Sequence, residues 1–324
     1  MNHPYDSLTP DCVVDCLESI GFVCDLRLLA LNSYENRVYQ VGIEGALPII
    51  MKFYRHGRWT DAQILEEHSF AQELVDHEIS VVAPMRVNDK TLHHAHGQRF
   101  SVFERRGGYP PELDNPDHLY RLGQTLGRIH RIGRAKPFLH RRDISSKRMA
   151  TESRLFLEEQ AVPRELMNAY STLAKDCEQT AASLLSTMTK RDMQRVHGDC
   201  HTGNILWRDD TPHFVDLDDC VSGPAIQDIW MFLSGDRFQQ ERQLSEFVSG
   251  YDEFHEFDPR QLAWIEALRT LRIMHHAFWL ASRWDDPAFP RAFPWFGQAR
   301  FWSDHILELR EQLGVMQEPT LRLL

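Results

Sequence analysis

At residues 105–112 the chain reads RRGGYPPE, and the period of its apolar residues changes across that segment. Upstream, apolar residues alternate in short runs with the two-residue period of strands. Downstream they recur every three or four residues, the period of helices. Two glycines beside two prolines favour neither a strand ladder nor a continuous helix. The segment is therefore the expected hinge between a small β-rich lobe, residues 1–105, and a larger, mostly helical lobe, residues 106–324. Such segregation predicts the α+β class with two lobes.

The elements on either side follow from the same patterns. Val13, Val14, Leu17 and Ile20 share one helical face, with Asp6 or Ser7 as the expected cap. NSYENRVYQVGI predicts a strand, a turn is expected at Glu44-Gly45, and LPIIMKFY predicts a second strand. TDAQILEEHSFAQELVDH has a helical face of Ile64, Phe70, Ala71 and Leu74, and QRFSVFER predicts another strand. Beyond the hinge, Leu119, Leu122, Leu126 and Ile129 form a helical stripe, with Gly123 and Gly127 expected to allow close packing. Further helices are expected over 163–185 and in the last seventy residues.

Composition narrows the partners. The 324 residues carry a formal charge of −11, which argues against a nucleic-acid partner, since phosphate backbones require clustered Lys and Arg. No apolar run approaches the ~20 residues needed to span a bilayer. MNHPYDSLTPDC lacks a basic start followed by an apolar core, so no signal peptide is expected and the cytoplasm is the expected compartment. Six scattered cysteines without a C-x-x-C pair predict reduced thiols. A monomer is expected.

The densest chemistry lies in HGDCHTGNILW, residues 197–207. Zinc is one reading, with His197, Cys200, His201 and perhaps Cys220 as ligands, but structural zinc sites pair ligands at two separate positions and only one cluster exists here. A hydrolase lacks support, because no G-x-S-x-G elbow occurs and Cys200 has no activating context. Phosphoryl transfer fits better. That reaction needs positioning, a metal and a carboxylate at the attacking hydroxyl. Asp199 supplies the carboxylate, Asn204 supplies a hard oxygen ligand, and Asp216, twelve residues further at the end of HFVD, stands where a second magnesium ligand is needed.

HGDCHTGNILW followed by FVDLDD and GPAIQDIW resembles the aminoglycoside phosphotransferase and choline kinase-like superfamily, whose fold is that of protein kinases. The resemblance implies ATP as phosphoryl donor with Mg2+, Asp199 and Asp216 as catalytic residues, Asn204 and Asp216 as metal ligands, His197 as a structural residue and Asp228 as a brace of the loop. His201 is expected either to orient Asp199 or to be a satisfied buried side chain. At the nucleotide end, Lys52 stands mid-strand in IIMKFYR and needs both a carboxylate partner and an anion. The next helix offers Glu66 and Glu67, and the resemblance favours Glu67. No G-x-G-x-x-G precedes Lys52; the equivalent turn, LNSYENRVYQ, has no glycine, so Ser33, aided by Asn32 or Asn36 and by backbone N–H groups, is expected at the phosphates.

NSYENRVYQ, KFYRHGRWT, QILEEH and RWDDPAFPRAFPWF together resemble the bacterial stress-response kinase A family, which implies a serine/threonine protein kinase. The alternative acceptor is a small amino alcohol or aminoglycoside, for which Asp218 and Asp219 are candidate cation sites, or else turn caps. A pseudokinase is disfavoured, since Lys52, Asp199, Asn204 and Asp216 are all present. The aromatic run from Trp284 to Phe296 is read as core capping. HRRDISSKRM is the main divergence from the family and is read as a solvated basic loop, or else as a phosphate-accepting segment with Arg141 and Arg142 ahead of Ser145 and Ser146.

Overall fold

The computed structural model describes residues 4–324; the first three residues of the N-terminal stretch lie outside it. Helix α1 (Pro10–Glu18) is followed by β1 (Cys24–Leu31), β2 (Arg37–Ile43), β3 (Ile49–Phe53), α2 (Asp61–Asp76), β4 (His93–Ala95) and β5 (Gln98–Glu104). The strands form a five-stranded antiparallel sheet in the order β1-β2-β3-β5-β4. Three details differ from the sequence pattern. Thr9, not Asp6 or Ser7, caps α1: its side chain accepts from the Cys12 N–H, and Pro10 opens the helix. Strand β2 begins only at Arg37, because residues 32–36 bend away. Strands β1 and β4 had no readable period: β1 is an edge strand broken by a bulge with Leu26 at φ 67°, and β4 has three residues.

The sheet's pleat decides where Lys52 goes. Its neighbours Met51 and Phe53 enter an apolar core with Val13, Cys16, Leu17, Phe100 and Val102. Alternation therefore sends Lys52 to the opposite face, paired in register with Ser101. The helix that follows, α2, is fixed at its start by a capping box between Thr60 and Gln63. It buries Ile64, Phe70, Ala71 and Leu74 as its period predicts, and also Glu67 and His68.

Compactness divides the chain into two units. One runs to Arg142 and includes Arg195–Val221 and Glu246–Glu256; the other comprises Asp143–Gln194, Ser222–Ser245 and Phe257–Leu324. The first contains the sheet and α3 (Pro116–Arg134). The helices α4 (Ser153–Gln160), α5 (Met167–Leu185), α6 (Ile226–Ile229), α7 (Arg237–Tyr251), α8 (Ile265–Ser282), α9 (Ala288–Ala292) and α10 (Ala299–Val315) follow, and most of them lie in the second unit. There, Trp279 packs edge-on against Phe289 and Phe293, and Phe296 lies against Trp284 and Trp302. The proline-rich aromatic run is packing material in its own unit. No helix among the described residues is long and apolar enough to cross a membrane, and the six cysteines are free.

The glycines of α3 do what their spacing predicts. A Cβ on Gly123 would stand 2.0 Å from the Phe247 carbonyl oxygen, and one on Gly127 would stand 2.6 Å from that of Tyr251, both in the last turns of α7. Backbone, not a movable side chain, is in the way. Gly123→Val is therefore expected to force the helices apart and to lower stability by at least the 1–3 kcal/mol typical of overpacking. Denaturant titration measures it; wild-type stability would show that the two backbones separate without cost.

Candidate active site

A tight hairpin assembles the site. Strand β6 (Gln194–Val196) leads into the loop at 197–204, and β7 (Ile205–Arg208) then pairs with β8 (Thr211–Phe214). Asp209 and Asp210 make the connection with φ of 50° and 55°, the two left-handed residues of a type I′ turn. Because Ile205 pairs with Phe214, the hairpin brings Asn204 beside Val215, whose N–H donates to the Asn204 carbonyl at 3.0 Å. Asp216 follows directly, in the left-handed region at φ 56°. Twelve residues of sequence thus become one local cluster.

Gly198 sets the other half of the loop. Its φ is +85°, and a Cβ there would meet the Asp219 carbonyl oxygen at 2.2 Å, so only glycine allows the loop to lie against residues 216–219. His197 is buried and its Nε2 lies 2.9 Å from the Val215 carbonyl, which can only accept, so that nitrogen carries the proton. Asn204 donates its amide N–H to the Asp199 carbonyl at 2.9 Å, which fixes the amide and leaves its oxygen as the free hard donor. His201 is not the buried side chain of one expectation, since 42% of its side chain is exposed. Its Nδ1 accepts from the Gly203 N–H, so the neutral ring holds its proton on Nε2, 3.5 Å from Asp199 Oδ2.

Across from this loop stands Lys52. Its ammonium is 2.8 Å from Asp216 Oδ1, 3.3 Å from Asp218 Oδ1 and 3.9 Å from Glu67 Oε1. Burial pushes Lys52 toward the neutral form, but the carboxylates of Asp216, Asp218 and Glu67 outweigh it and hold its pKa well above the usual lysine range. The expected Glu67 contact is thus present as the longest of three.

Asp218, read from sequence as a cation site or a turn cap, is the buried centre of the cluster. It accepts from Arg58 and, at 3.1 Å, from the Asn36 amide, in addition to facing Lys52. Burial alone would raise its pKa; Arg58, Lys52, Arg141 and the Asn36 amide hold it well below the usual carboxylate range. Arg58 also donates to Asp219, whose side chain is 47% exposed.

The glycine-free turn is tied down by the same groups. The Asn36 oxygen accepts from the Arg55 N–H at 3.2 Å, so both ends of that amide are committed. Arg55 donates to the carbonyls of Tyr34 and Glu35 and pairs with the Glu35 carboxylate at 3.1 Å. Ser33 lies half-buried within the turn.

Arg141 corrects the reading of HRRDISSKRM. It is buried, not solvated, and donates to Glu67 Oε2 at 2.8 Å, to the Asp218 carbonyl at 2.6 Å and to the Gln63 carbonyl at 2.9 Å. Glu66, one position along α2, accepts from the N–H groups of Leu139, His140 and Arg141 at 2.5, 2.8 and 2.7 Å. Burial pushes the Glu67 carboxyl up against the pull of Lys52 and Arg141. No pattern in the sequence distinguishes Arg58 or Arg141 from a surface arginine. The zinc reading finds no support: no group of three or more His, Cys, Asp or Glu side chains among the described residues is placed to hold a metal, and Cys200 and Cys220 are buried.

Residues 27–265 match the sequence profile of the phosphotransferase enzyme family. The stress response kinase A of Escherichia coli O157:H7 is 44% identical over 320 residues, 98% of this chain and 97% of its own. A protein of Salmonella typhimurium, named as the serine/threonine protein kinase RdoA, is 42% identical over the same shares. Among solved structures, the amicoumacin kinase hAmiN in complex with AMP-PNP, Ca2+ and its ligand superposes with a TM-score of 0.74 at 22% identity, covering 95% of this chain and 93% of that one. The fold is α+β and protein-kinase-like.

The asymmetry between Asp218 and Asp219 gives a test. Asp218→Asn leaves Lys52 and Arg58 buried with less countercharge and is expected to cost about 3–5 kcal/mol, the usual result of breaking a buried ion pair. Asp219→Asn removes one half-exposed contact and is expected to cost about 1 kcal/mol or less. Urea denaturation at pH 7 compares them; equal costs would deny Asp218 its central place.

Proposed function

Because the chain belongs to the phosphotransferase enzyme family, and within it to the stress response kinase A relatives, we propose that it transfers the γ-phosphoryl group of ATP, with magnesium, to serine or threonine hydroxyls of a protein. The observation that carries this reading is the convergence of Lys52, Asp199, Asn204 and Asp216 within one compact unit.

Each residue has a task in that reaction. Asp199 Oδ accepts the proton of the attacking hydroxyl, and the His201 Nε2–H on the far oxygen keeps the carboxylate oriented. Asn204, beside Val215 in the hairpin, and Asp216, which follows Val215, would hold magnesium, which would neutralise charge on the donor phosphates. Lys52 binds the phosphates as a buried cation, held by Glu67, while Ser33 and the backbone N–H groups of the turn cover them. Asn36 acts from behind, keeping the turn on Asp218 and Arg55. The protein acceptor is inferred from the names of the relatives, and an amino alcohol or aminoglycoside is the competing acceptor.

Asp199→Asn is expected to leave binding of a non-hydrolysable ATP analogue within about threefold of wild type while lowering turnover about 10²–10⁴-fold, the usual contribution of a general base. Labelled ATP with magnesium, offered a serine-rich protein acceptor and a panel of amino alcohols in parallel, reads both base and acceptor. Retained turnover removes Asp199 from that role. Label on the amino alcohols and not on protein replaces the protein-kinase reading with the small-molecule one.

A further inference from the structure

Arg55, Arg58 and Arg141 all reach the carboxylate cluster, but they are held differently. Arg141 has a fully enclosed side chain, acceptors on three sides and the Trp59 ring 4.3 Å beneath its guanidinium. Arg55 is spent on Glu35 and the carbonyls of the turn. Neither can leave without exposing buried acceptors. Arg58 bridges inside and outside: one amino group is on buried Asp218, the other on half-exposed Asp219, while its Nε faces the Glu35 carboxylate at 3.7 Å and its guanidinium lies 5.3 Å from the Trp59 ring. The Asp219 backbone packs against Gly198, the residue before Asp199, where a Cβ would stand 2.2 Å from the Asp219 carbonyl oxygen. An arginine is therefore stored beside the base, on an acid that solvent can satisfy in its place.

The partners of Asp218 make that release affordable. If Arg58 turns away, Asp218 keeps Lys52 at 3.3 Å and the Asn36 amide at 3.1 Å, Glu35 keeps Arg55 at 3.1 Å, and Asp219, 47% exposed, is open to water. We propose that Arg58 is a catalytic residue: held on Asp218 and Asp219 beside the base, it donates to the oxygens of the phosphoryl group during transfer. This rests on the phosphotransferase reading above. In the step, the bond from the γ-phosphorus to its bridging oxygen breaks and leaves ADP, the bond to the acceptor oxygen forms, and the hydroxyl proton goes to Asp199. Negative charge spreads over the equatorial oxygens, where a planar two-pronged donor is matched better than a point charge. Arg58 then returns to Asp219.

The test separates the transferring group from the bound nucleotide. Calorimetry measures binding of ADP with magnesium and fluoroaluminate, a planar mimic of the phosphoryl group in flight, against binding of a non-hydrolysable ATP analogue with magnesium. For Arg58→Gln the mimic is expected to bind on the order of 10²–10³-fold more weakly, while the analogue stays within about threefold of wild type. Arg58→Lys, which keeps a positive charge on Asp218 should the glutamine variant fail to fold, is expected to show the same discrimination at smaller size, about tenfold or more. Equal weakening of both ligands in both variants, or no weakening of either, overturns the proposal and leaves Arg58 a structural brace. Failure of the wild-type protein to bind either ligand overturns the phosphotransferase reading, and the role of Arg58 with it.

Discussion

Asp218 carries a charge that water does not reach, and the site is arranged around that cost. An isolated buried carboxylate is several kcal/mol too expensive to persist ionised. Here it is met by Lys52 from the central strand, Arg58 from the loop after it, and Asn36 from the turn before it. Those partners lie 160 or more residues away in sequence. One acid therefore ties a turn and a loop to the central strand. Under the proposed function, this is how a turn without glycine would be held over the phosphates. Glycine lets backbone approach phosphate by conformational freedom. In this chain the turn is held in place from behind by Asn36 and Arg55.

The neighbouring helix is set by a second arrangement of the same kind. Glu66 and Glu67 differ by one position, about a hundred degrees around α2, and so face different elements. Glu66 collects three backbone N–H groups of residues 139–141, and Glu67 takes the guanidinium that the same loop delivers. The loop and the helix are thus joined twice. The sequence reading pairs Lys52 with Glu67; the shorter contact of Glu67 is with Arg141, and that of Lys52 is with Asp216. Glu67 remains the only carboxylate of α2 facing both cations.

What the sequence disclosed follows from the range of the interactions. Asp199, Asn204 and Asp216 were legible because a hairpin with a two-residue turn converts fixed spacing into fixed geometry. Lys52 was legible because an apolar strand leaves no other reason for a lysine. The stripe and the glycines of α3 were legible because helical packing is periodic. Strand β1 was hidden by its bulge, and β4 by its length. Arg58 and Arg141 were hidden for a different reason. An arginine in a polar loop has the same local pattern whether it is solvated or buried, and the deciding partner is 74 residues away for Arg141 and 160 for Arg58.

The balance of charge in the unit bears on the metal as well. Glu35, Glu67, Asp216, Asp218 and Asp219 face Lys52, Arg55, Arg58 and Arg141, and Asp199 stands beside them. With all groups ionised, six carboxylates meet four cations, a formal surplus of two negative charges, which is the charge of one divalent ion. The surplus is not spread evenly. Asp218 and Glu67 are enclosed and each is paired, whereas Asp199, Asp216 and Asp219 have side chains 24%, 52% and 47% exposed. The surplus negative charge therefore lies on the more exposed Asp199, Asp216 and Asp219, and the enclosed groups carry no negative surplus. In the proposed reaction a divalent cation would compete with Lys52 for Asp216, whose contact with that ammonium is 2.8 Å.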